Sequence, residues 1–181
     1  LGYADALANW GACAQIAWNA GFVLHLGPKE YLTSTTAYIR SRTGVSGEGD
    51  RVSGIKAVDG FDGNIIDTET FVALRAAAAI ENDRGVLLQP ILKDFYIDGN
   101  RSRFGGTVSA TNGIGVRLYC RIPAITNLRI AYCAAHGMQT ALDHAAQPAS
   151  FNSLDHTRIG FVDGLTIMDC GYEGWIFQGP A

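Results

Sequence analysis

The sequence places two polar residues capable of acid–base chemistry at the same position of a repeated pattern. His136 and Glu173 each stand directly before a glycine in two matched segments. If these segments lie side by side at a strand spacing of roughly 4.8 Å, the carboxylate favours a protonated imidazole and the two groups can share a proton. Asp169 lies in the same segment as Glu173. We therefore take His136, Asp169 and Glu173 as the first candidate catalytic cluster, with a solvated corner and an incidental ion pair as the alternative interpretation.

A second pair of carboxylates lies on one predicted strand. Asp94 and Asp98 should both face outward, with Tyr96 between them. Residues i and i+4 of a strand are about 13 Å apart at ~3.3 Å per residue, which exceeds the ~5 to 9.5 Å that separates the two carboxylates of glycosidases. A catalytic partner for either residue would have to come from another repeat or another subunit. Asp98, Gly99 and Asn100 are equally typical of a turn in which side chains bind their own backbone.

Aromatic and polar residues close to the repeated strands could contact a sugar. A long segment around Pro148 interrupts the repeat, and long insertions in stacked-strand proteins line grooves. The candidate substrate contacts share these two locations: Tyr96, Arg101, Tyr132, Tyr172, Asp143, His144, Asp155 and His156. Ordinary solvated loop side chains would show the same pattern. Trp175 matches Met138 in the repeat and is expected to pack in the interior.

Other chemistries have weaker support. The segment Gly44-Val45-Ser46-Gly47 lacks the spacing of a GxSxG nucleophile turn, and no order of Ser, His and Asp along the chain supports a triad. Gly47-Glu48-Gly49 is not followed by the Lys-Ser or Lys-Thr of a phosphate-binding loop. The four cysteines, at positions 13, 120, 133 and 170, match no zinc or CxxC spacing. We expect buried free thiols, no metal and no cofactor.

Internal repetition must position the candidate residues. Segments 127–138 and 164–175 match at an offset of 37 residues, and a third copy, 94–100, lies 33 residues before the first of them. In each copy two apolar residues are separated by one position, so both point to the same side of a strand. These inward pairs are Phe95/Ile97, Leu128/Ile130 and Leu165/Ile167. Stacked copies would form aliphatic ladders, with Cys133 over Cys170 as a thiol ladder.

The remaining elements follow from periodicity. Residues 5 to 19 show a helical pattern with Asp5 as N-cap and Gly21 as its stop, and the apolar face of this helix would cover the open first repeat. Phe22 should then begin a strand in which Phe22, Leu24 and Leu26 face one side and alternate with Val23 and His25.

Short strands separated by turn residues account for most of the later chain. They include segments 94–98, 128–132 and 164–168, whereas segment 71–80 fits either a short helix or a loop. The expected organisation is one domain, with a capping helix over residues 1–21 and stacked strands over residues 22–181.

Composition excludes several classes of protein. Glycine contributes 22 of 181 residues without the strict period of collagen, and 48% apolar with 17% charged residues does not fit a disordered chain. A net charge of −3 and scattered Lys and Arg argue against a nucleic-acid partner. No stretch approaches the ~20 apolar residues of a membrane span. A folded, turn-rich and mainly β protein remains.

The order of these motifs resembles the N-terminal part of the pectate-lyase-like right-handed parallel β-helix superfamily, and within it the phage tailspike depolymerases. The residues that carry the resemblance are Asp5-Ala6-Leu7, Gly21 to Leu26 followed by Tyr31, the Gly-x-Gly turn at 44–49 ahead of Ile55, and Phe95 to Asn100. Together with the later repeats, the resemblance extends over residues 5 to 176. Gly27-Pro28 departs from the family, which places Pro before Gly. The resemblance implies an all-β solenoid, a right-handed parallel β-helix with an N-terminal amphipathic capping helix.

The resemblance also implies a function. Such proteins are extracellular homotrimers of the virion tail that attach to tail or baseplate proteins and bind bacterial surface polysaccharide, a capsule or O-antigen. We expect depolymerisation by hydrolysis between two carboxylates, one of them protonated. A non-catalytic adhesion segment of a tail fibre is one alternative.

A secreted lyase or epimerase is the other alternative, for which Asp94, Asp98, Arg101 and Arg103 form the relevant set. Because the chain supplies only about five coils, we expect it to be the N-terminal part of a longer β-helix.

Overall fold

The computed structural model describes residues 8–68, 87–109, 112–118, 120–121, 123–140 and 160–177. Within these ranges lie the α-helix α1 (Trp10–Asn19), a 3-10 turn (Arg101–Arg103) and fourteen short strands. The strands are β1 (Val23–His25), β2 (Glu30–Thr33), β3 (Ala37–Tyr38), β4 (Gly44–Ser46), β5 (Gly54–Ala57), β6 (Ile66–Asp67), β7 (Leu87–Leu88), β8 (Ile91–Asp98), β9 (Val116–Leu118), β10 (Cys120–Arg121), β11 (Ala124–Ala131), β12 (Met138–Thr140), β13 (Phe161–Met168) and β14 (Trp175–Phe177). No helix in these ranges is long and apolar enough to cross a membrane.

The named strands pair in parallel throughout. The larger sheet runs β1-β4-β8-β11-β13, and β5 joins it between β2 and β8. A second sheet has the order β14-β12-β9-β6-β3, while β7 and β10 form a small third sheet. Parallel neighbours require a crossover connection, and between β11 and β13 the crossover contains β12 of the second sheet. The expected mainly β architecture with an N-terminal helix is confirmed.

The internal repeat predicts the strand register correctly. The inward-facing rows of the larger sheet pair residue by residue across three strands: Phe95, Leu128 and Leu165, and then Ile97, Ile130 and Ile167. In the second sheet Met138 pairs with Trp175. The side chains of Phe95, Ile97, Leu128 and Ile130 are 0% exposed. The predicted aliphatic ladders therefore form the core between the sheets.

Left-handed residues shift the start of the three long strands. Asp94, Asn127 and Gly164 occupy equivalent positions in β8, β11 and β13, with φ values of 57°, 49° and 65°. Each one breaks the two-residue alternation, so that the buried Leu92 lies three positions before Phe95. The strands consequently begin at 91, 124 and 161, earlier than the alternation predicts. Asn127 Nδ2 donates a hydrogen bond to Asp94 Oδ1 at 3.1 Å, which links two of these positions.

Helix α1 packs its apolar face on the first strands. Trp10, Ala14 and Trp18 recur every four residues, and all three are buried. The two indole rings meet edge to face with centroids 5.6 Å apart. Trp18 Nε1 donates to the Gly44 carbonyl at 2.9 Å, which ties the helix to β4.

The side chain of Gln15 covers the outer edge of β3. Gln15 Oε1 accepts the Tyr38 N–H at 2.8 Å, and Gln15 Nε2 donates to the Tyr38 carbonyl at 3.2 Å. On its other side β3 bonds to the β6 region, where the Ala37 N–H donates to Ile65 and the Ile39 N–H to Asp67. The glutamine amide thus occupies the place of a neighbouring strand.

A buried ion pair joins consecutive strands of the second sheet. Arg117 on β9 contacts Asp67 on β6 through two hydrogen bonds, Nε to Oδ1 and Nη2 to Oδ2, both 2.7 Å. Asn64 Nδ2 and the Thr68 N–H also donate to this carboxylate. The two bonds from Arg117 and the extra donors offset only part of the cost of removing the Asp67 charge from water, so burial still raises the pKa of Asp67.

The structure corrects two expectations about the first strands, and some predicted residues lie outside the described ranges. The Phe22 side chain is 64% exposed. Its N–H donates to the Ala17 carbonyl at the end of α1, so Phe22 lies before β1 and does not take part in the alternation of that strand. Of the segment 44–49 that contains the predicted Gly-x-Gly turn, the first half forms strand β4, and only Gly47 to Gly49 lie outside a strand. Asp5, Leu7 and segment 71–80 lie outside the described residues.

Candidate functional site

A groove of about 710 Å³ opens at the carboxyl end of the larger sheet. Its lining residues are predominantly polar or charged: Lys56, Asp98, Asn100, Arg101, Ser102, Tyr132 and Asp169. They come from three successive repeats and from β5. The carboxyl ends of parallel strands meet at one edge of a sheet, so residues far apart in sequence converge there.

The strand register brings these residues together. Asp98 is the last residue of β8, whereas Tyr132 and Asp169 directly follow β11 and β13. Asn100, Tyr132 and Asp169 have φ values of 48°, 54° and 53°. The chain therefore turns sharply at each of these positions, which directs the residues to the rim of the sheet.

Asp98 is held by a cation and by its own turn. Lys56 Nζ lies 3.5 Å from Asp98 Oδ2, and the Asn100 N–H donates to Asp98 Oδ1 at 2.8 Å. Asn100 Nδ2 in turn donates to the Ala57 carbonyl and to Asp59, which fixes the turn against the end of β5. The predicted Asp-Gly-Asn turn is present, and it presents a carboxylate to the groove.

Asp98 and Asp169 form a pair of carboxylates drawn from different repeats. Asp98 and Met168 both pair with Ala131, so their backbones lie two strand spacings apart, roughly 9.6 Å. Asp169 follows Met168. This backbone spacing is slightly larger than the ~6.5 to 9.5 Å found between the carboxyl groups of inverting glycosidases. Asp169 is thus a carboxylate from another repeat that lines the same groove as Asp98, whereas Asp94 does not line it.

An aromatic side chain, Tyr132, and a cation, Arg101, line the groove together with these two acids. Tyr132, on the intervening repeat, is 45% exposed. Arg101 lines the same groove, and among the described residues its guanidinium takes part in no ion pair within 4.0 Å. An exposed ring between carboxylates and a guanidinium matches the apolar faces and hydroxyl groups of a sugar.

The predicted cluster of His136, Asp169 and Glu173 is divided. His136 Nδ1 lies 2.9 Å from Glu173 Oε2, and the His136 ring lies 5.4 Å from that of Tyr172. The contact falls outside hydrogen-bond geometry, and His136 is only 2% exposed. Within the part of the chain that the structure describes, Asp169 forms no hydrogen bond or ion pair with either residue and instead lines the groove with Asp98.

The Tyr96 side chain forms a structural hydrogen bond within the larger sheet. Its hydroxyl donates to Glu30 Oε2 at 2.9 Å, and its ring occupies the space where Gly54 lacks a Cβ. Burial and the hydrogen bond to Glu30 raise the pKa of Tyr96 to about 12. Tyr96 therefore links β8 to β2 across β5.

The thiol ladder lies beside the groove. Hydrogen bonding from the Cys133 thiol lowers the pKa of Cys170 to about 7, and the nearby Arg101 charge acts in the same direction. The pKa of Cys133 is raised by the same bond and by burial, and burial alone raises that of Cys120. All four cysteines are free, but only Cys13 and Cys170 are partly exposed.

Comparison with known proteins identifies structural relatives in two bacteriophages. No protein-family model and no curated protein matches the chain. The structure of pre-mature bacteriophage phi29 gene product 12 is similar over 94% of this chain, with a TM-score of 0.66 and 16% identity. An N-terminal fragment of the same gene product matches 79% of the chain at 0.62 and 17%, and ORF18 of Geobacillus virus E2 matches 75% at 0.55 and 17%. At these identities the likeness shows a shared fold. The matched region is 22 to 25% of each of those chains.

Other predicted site residues lie away from the groove. Asp94 contacts Lys93 Nζ at 3.5 Å as well as Asn127, and Arg103 Nε lies 3.9 Å from Asp59. Tyr172 is 52% exposed beside His136. The predicted loop contacts Asp143, His144, Asp155 and His156 lie outside the described residues.

Sequence reasoning missed three residues of the groove, namely Lys56, Asn100 in its positioning role, and Ser102. Lys56 pairs with Asp98 in the sheet register although 42 positions separate them. The signal for Lys56 is the short strand Gly54–Ala57, which pairs with β8 at an offset of 42 residues and not at the 33 or 37 of the repeated copies.

Proposed function

We propose that this chain is part of a bacteriophage tail protein whose strands form a right-handed parallel β-helix, and that it binds and cleaves bacterial surface polysaccharide in the groove. The observation that carries the proposal is that Asp98 and Asp169, from different repeats, line one groove, with Tyr132 on the repeat between them. The shared fold with two bacteriophage proteins supports a place in a virion tail. Trimer formation and attachment to other tail proteins belong to the same proposal.

The two carboxylates differ in their surroundings, and this difference suggests their roles. Lys56 and the Asn100 N–H both contact Asp98 and stabilise a carboxylate there. Asp98 is therefore suited to act as the general base that activates water. Asp169 has no hydrogen bond or ion pair with the described residues, and we assign it the general acid that protonates the leaving oxygen.

The groove also accounts for binding. The Tyr132 ring can stack on the apolar face of one sugar, while Arg101 and Ser102 can donate to ring hydroxyls or to a sugar carboxylate. Because the groove is open and lies on the side of the strand stack, a polymer can pass through it without threading an end.

The test is release of reducing ends from a panel of purified capsular and O-antigen polysaccharides. Asp98→Asn and Asp169→Asn should each lower turnover at least about 100-fold, the lower end of the usual effect of general acid–base catalysis, and retain binding. The matched control is Asp163→Asn, which removes an exposed carboxylate from the opposite end of β13. Tyr132→Ala should weaken binding of the same polysaccharide.

Two measurements distinguish the mechanism from its alternatives. NMR of the first-formed product should show an inverted anomeric centre, whereas retention would contradict the Asp98–Asp169 assignment. New ultraviolet absorbance from an unsaturated uronate would indicate a lyase. Binding that depends on Tyr132 without any release of ends would identify a non-catalytic adhesion segment.

A further inference from the structure

A second constellation of catalytic residue types lies on the first strands, away from the groove. Ser46 at the end of β4 lies beside His25 at the end of β1, because the two residues pair in the parallel register. The Ser46 Oγ–His25 Nδ1 distance is 3.1 Å, and His25 Nε2 lies 2.7 Å from Glu48 Oε1. A hydroxyl, an imidazole and a carboxylate are thus connected in series.

The order of hydrogen bonds gives each group a defined role. Glu48 can only accept, so His25 donates its Nε2–H to that carboxylate and leaves Nδ1 as an acceptor. The Ser46 hydroxyl then donates to Nδ1. This is the arrangement of a nucleophile, a general base and a carboxylate that orients the base.

The loop that carries Glu48 is held rigidly. The Gly47 and Gly49 N–H groups donate to the Lys93 and Asp94 carbonyls, both at 2.9 Å, and the Glu48 N–H donates to Ser53 Oγ at 2.9 Å. A side chain at Gly47 would overlap the Asp94 carbonyl, so glycine is required for this close approach. The carboxylate is therefore positioned before any substrate binds, which is what a catalytic constellation needs.

Lys93 lies on the strand next to the nucleophile. It is on β8 and pairs with Ser46 in the register, and its ammonium is half exposed and lies 3.5 Å from Asp94 Oδ2. The Gly47 N–H is already bonded within the sheet. Stabilisation of negative charge on a carbonyl oxygen attacked by Ser46 therefore requires the Lys93 ammonium to turn from Asp94 toward that oxygen. His25 and Glu48 are 59% and 50% exposed, so a substrate must approach on an open face.

We propose that Ser46, His25 and Glu48 form a serine esterase site that removes acyl groups from hydroxyls of a polymer lying on this face. Ser46 Oγ attacks the ester carbonyl while its proton passes to His25 Nδ1. The bond between the carbonyl carbon and the alcohol oxygen breaks, and the alcohol leaves with that proton. Water then hydrolyses the acyl-serine, releasing the carboxylic acid and restoring Ser46.

The decisive experiment uses diisopropyl fluorophosphate on the intact chain, followed by peptide mass spectrometry. One phosphoryl group should be found on Ser46, and labelling should fall at least tenfold in His25→Gln and in Glu48→Gln. Thr126→Val, in the same outward-facing row, is the matched control and should label normally. Labelling of another residue, or equal labelling in His25→Gln, would overturn the proposal.

A second measurement needs no variant that could fail to fold. Incubation of the unaltered chain with p-nitrophenyl acetate should give a burst of p-nitrophenol and an acetyl group on Ser46. Acetylation of His25 or Lys93 instead, with Ser46 unmodified, would show ordinary surface reactivity and would also refute the site. These residues do not line the groove, so the outcome is independent of the proposed glycosidic cleavage.

Discussion

Cys170 should be more reactive than Cys120 and Cys133. A pKa of about 7 makes the thiol roughly half ionised at pH 7, against about 1% for an ordinary thiol of pKa 9.0. This is a gain of about 50-fold in thiolate, but a less basic thiolate is a weaker nucleophile by about 8-fold over two pH units at a Brønsted coefficient of ~0.45. The net expectation is alkylation about 6-fold faster than that of an unperturbed thiol.

Iodoacetamide labelling between pH 5 and pH 9, with peptide mass spectrometry for each cysteine, measures this directly. The rate at Cys170 should be half-maximal near pH 7, whereas Cys120 and Cys133 should remain unlabelled in the folded chain. Cys133→Ala removes the principal donor and should move the Cys170 midpoint toward 9. Arg101→Gln should move it by a smaller amount, with Arg103→Gln as control. A midpoint unchanged in Cys133→Ala, or faster labelling of Cys133, would refute the hydrogen-bond explanation.

Two further substitutions test the packing that positions the groove. Gly54→Ala places a Cβ where the Tyr96 ring lies, so the ring must leave Glu30, and the free energy of unfolding should fall by about 1–2 kcal/mol. In a Tyr96→Ala background the same change should cost much less, and an equal cost in urea denaturation would contradict the proposed overlap. Asp67→Ala breaks both buried hydrogen bonds between Arg117 and this carboxylate and should cost about 3–5 kcal/mol. Loss of the exposed Asp62 carboxylate in Asp62→Ala should cost little, and similar midpoints for the two variants would count against a stabilising pair.

The stacking of the strands could be predicted because like residues recur at like positions. Leu128 over Leu165 and Met138 over Trp175 follow directly from the offset of 37 residues. The starts of the long strands could not be predicted from alternation, because Asn127 and its equivalents adopt a left-handed conformation within the strand. Asp, Asn and Gly tolerate this conformation, so the recurrence of one of these residues directly ahead of each inward pair is the signal for such a break.

The candidate site was predicted only in part, for a geometric reason. Asp98, Asp169, Arg101 and Tyr132 were each identified from local pattern, but their grouping depends on which repeats become neighbours in space. Repeats of unequal length hide that information. His25 and Ser46, for example, are 21 positions apart and still pair, and no single period aligns them with the later copies.

The amide of Gln15 restricts how further strands can join the second sheet. A sheet edge recruits another chain through backbone N–H and carbonyl groups that lack partners. At the β3 edge the N–H and the carbonyl of Tyr38 both bond to the Gln15 side chain. A side-chain amide, unlike a strand, does not offer a new row of backbone groups to the next chain. Strand addition to this sheet is therefore directional, and an assembly that grows by such pairing would have to grow from the side of β14.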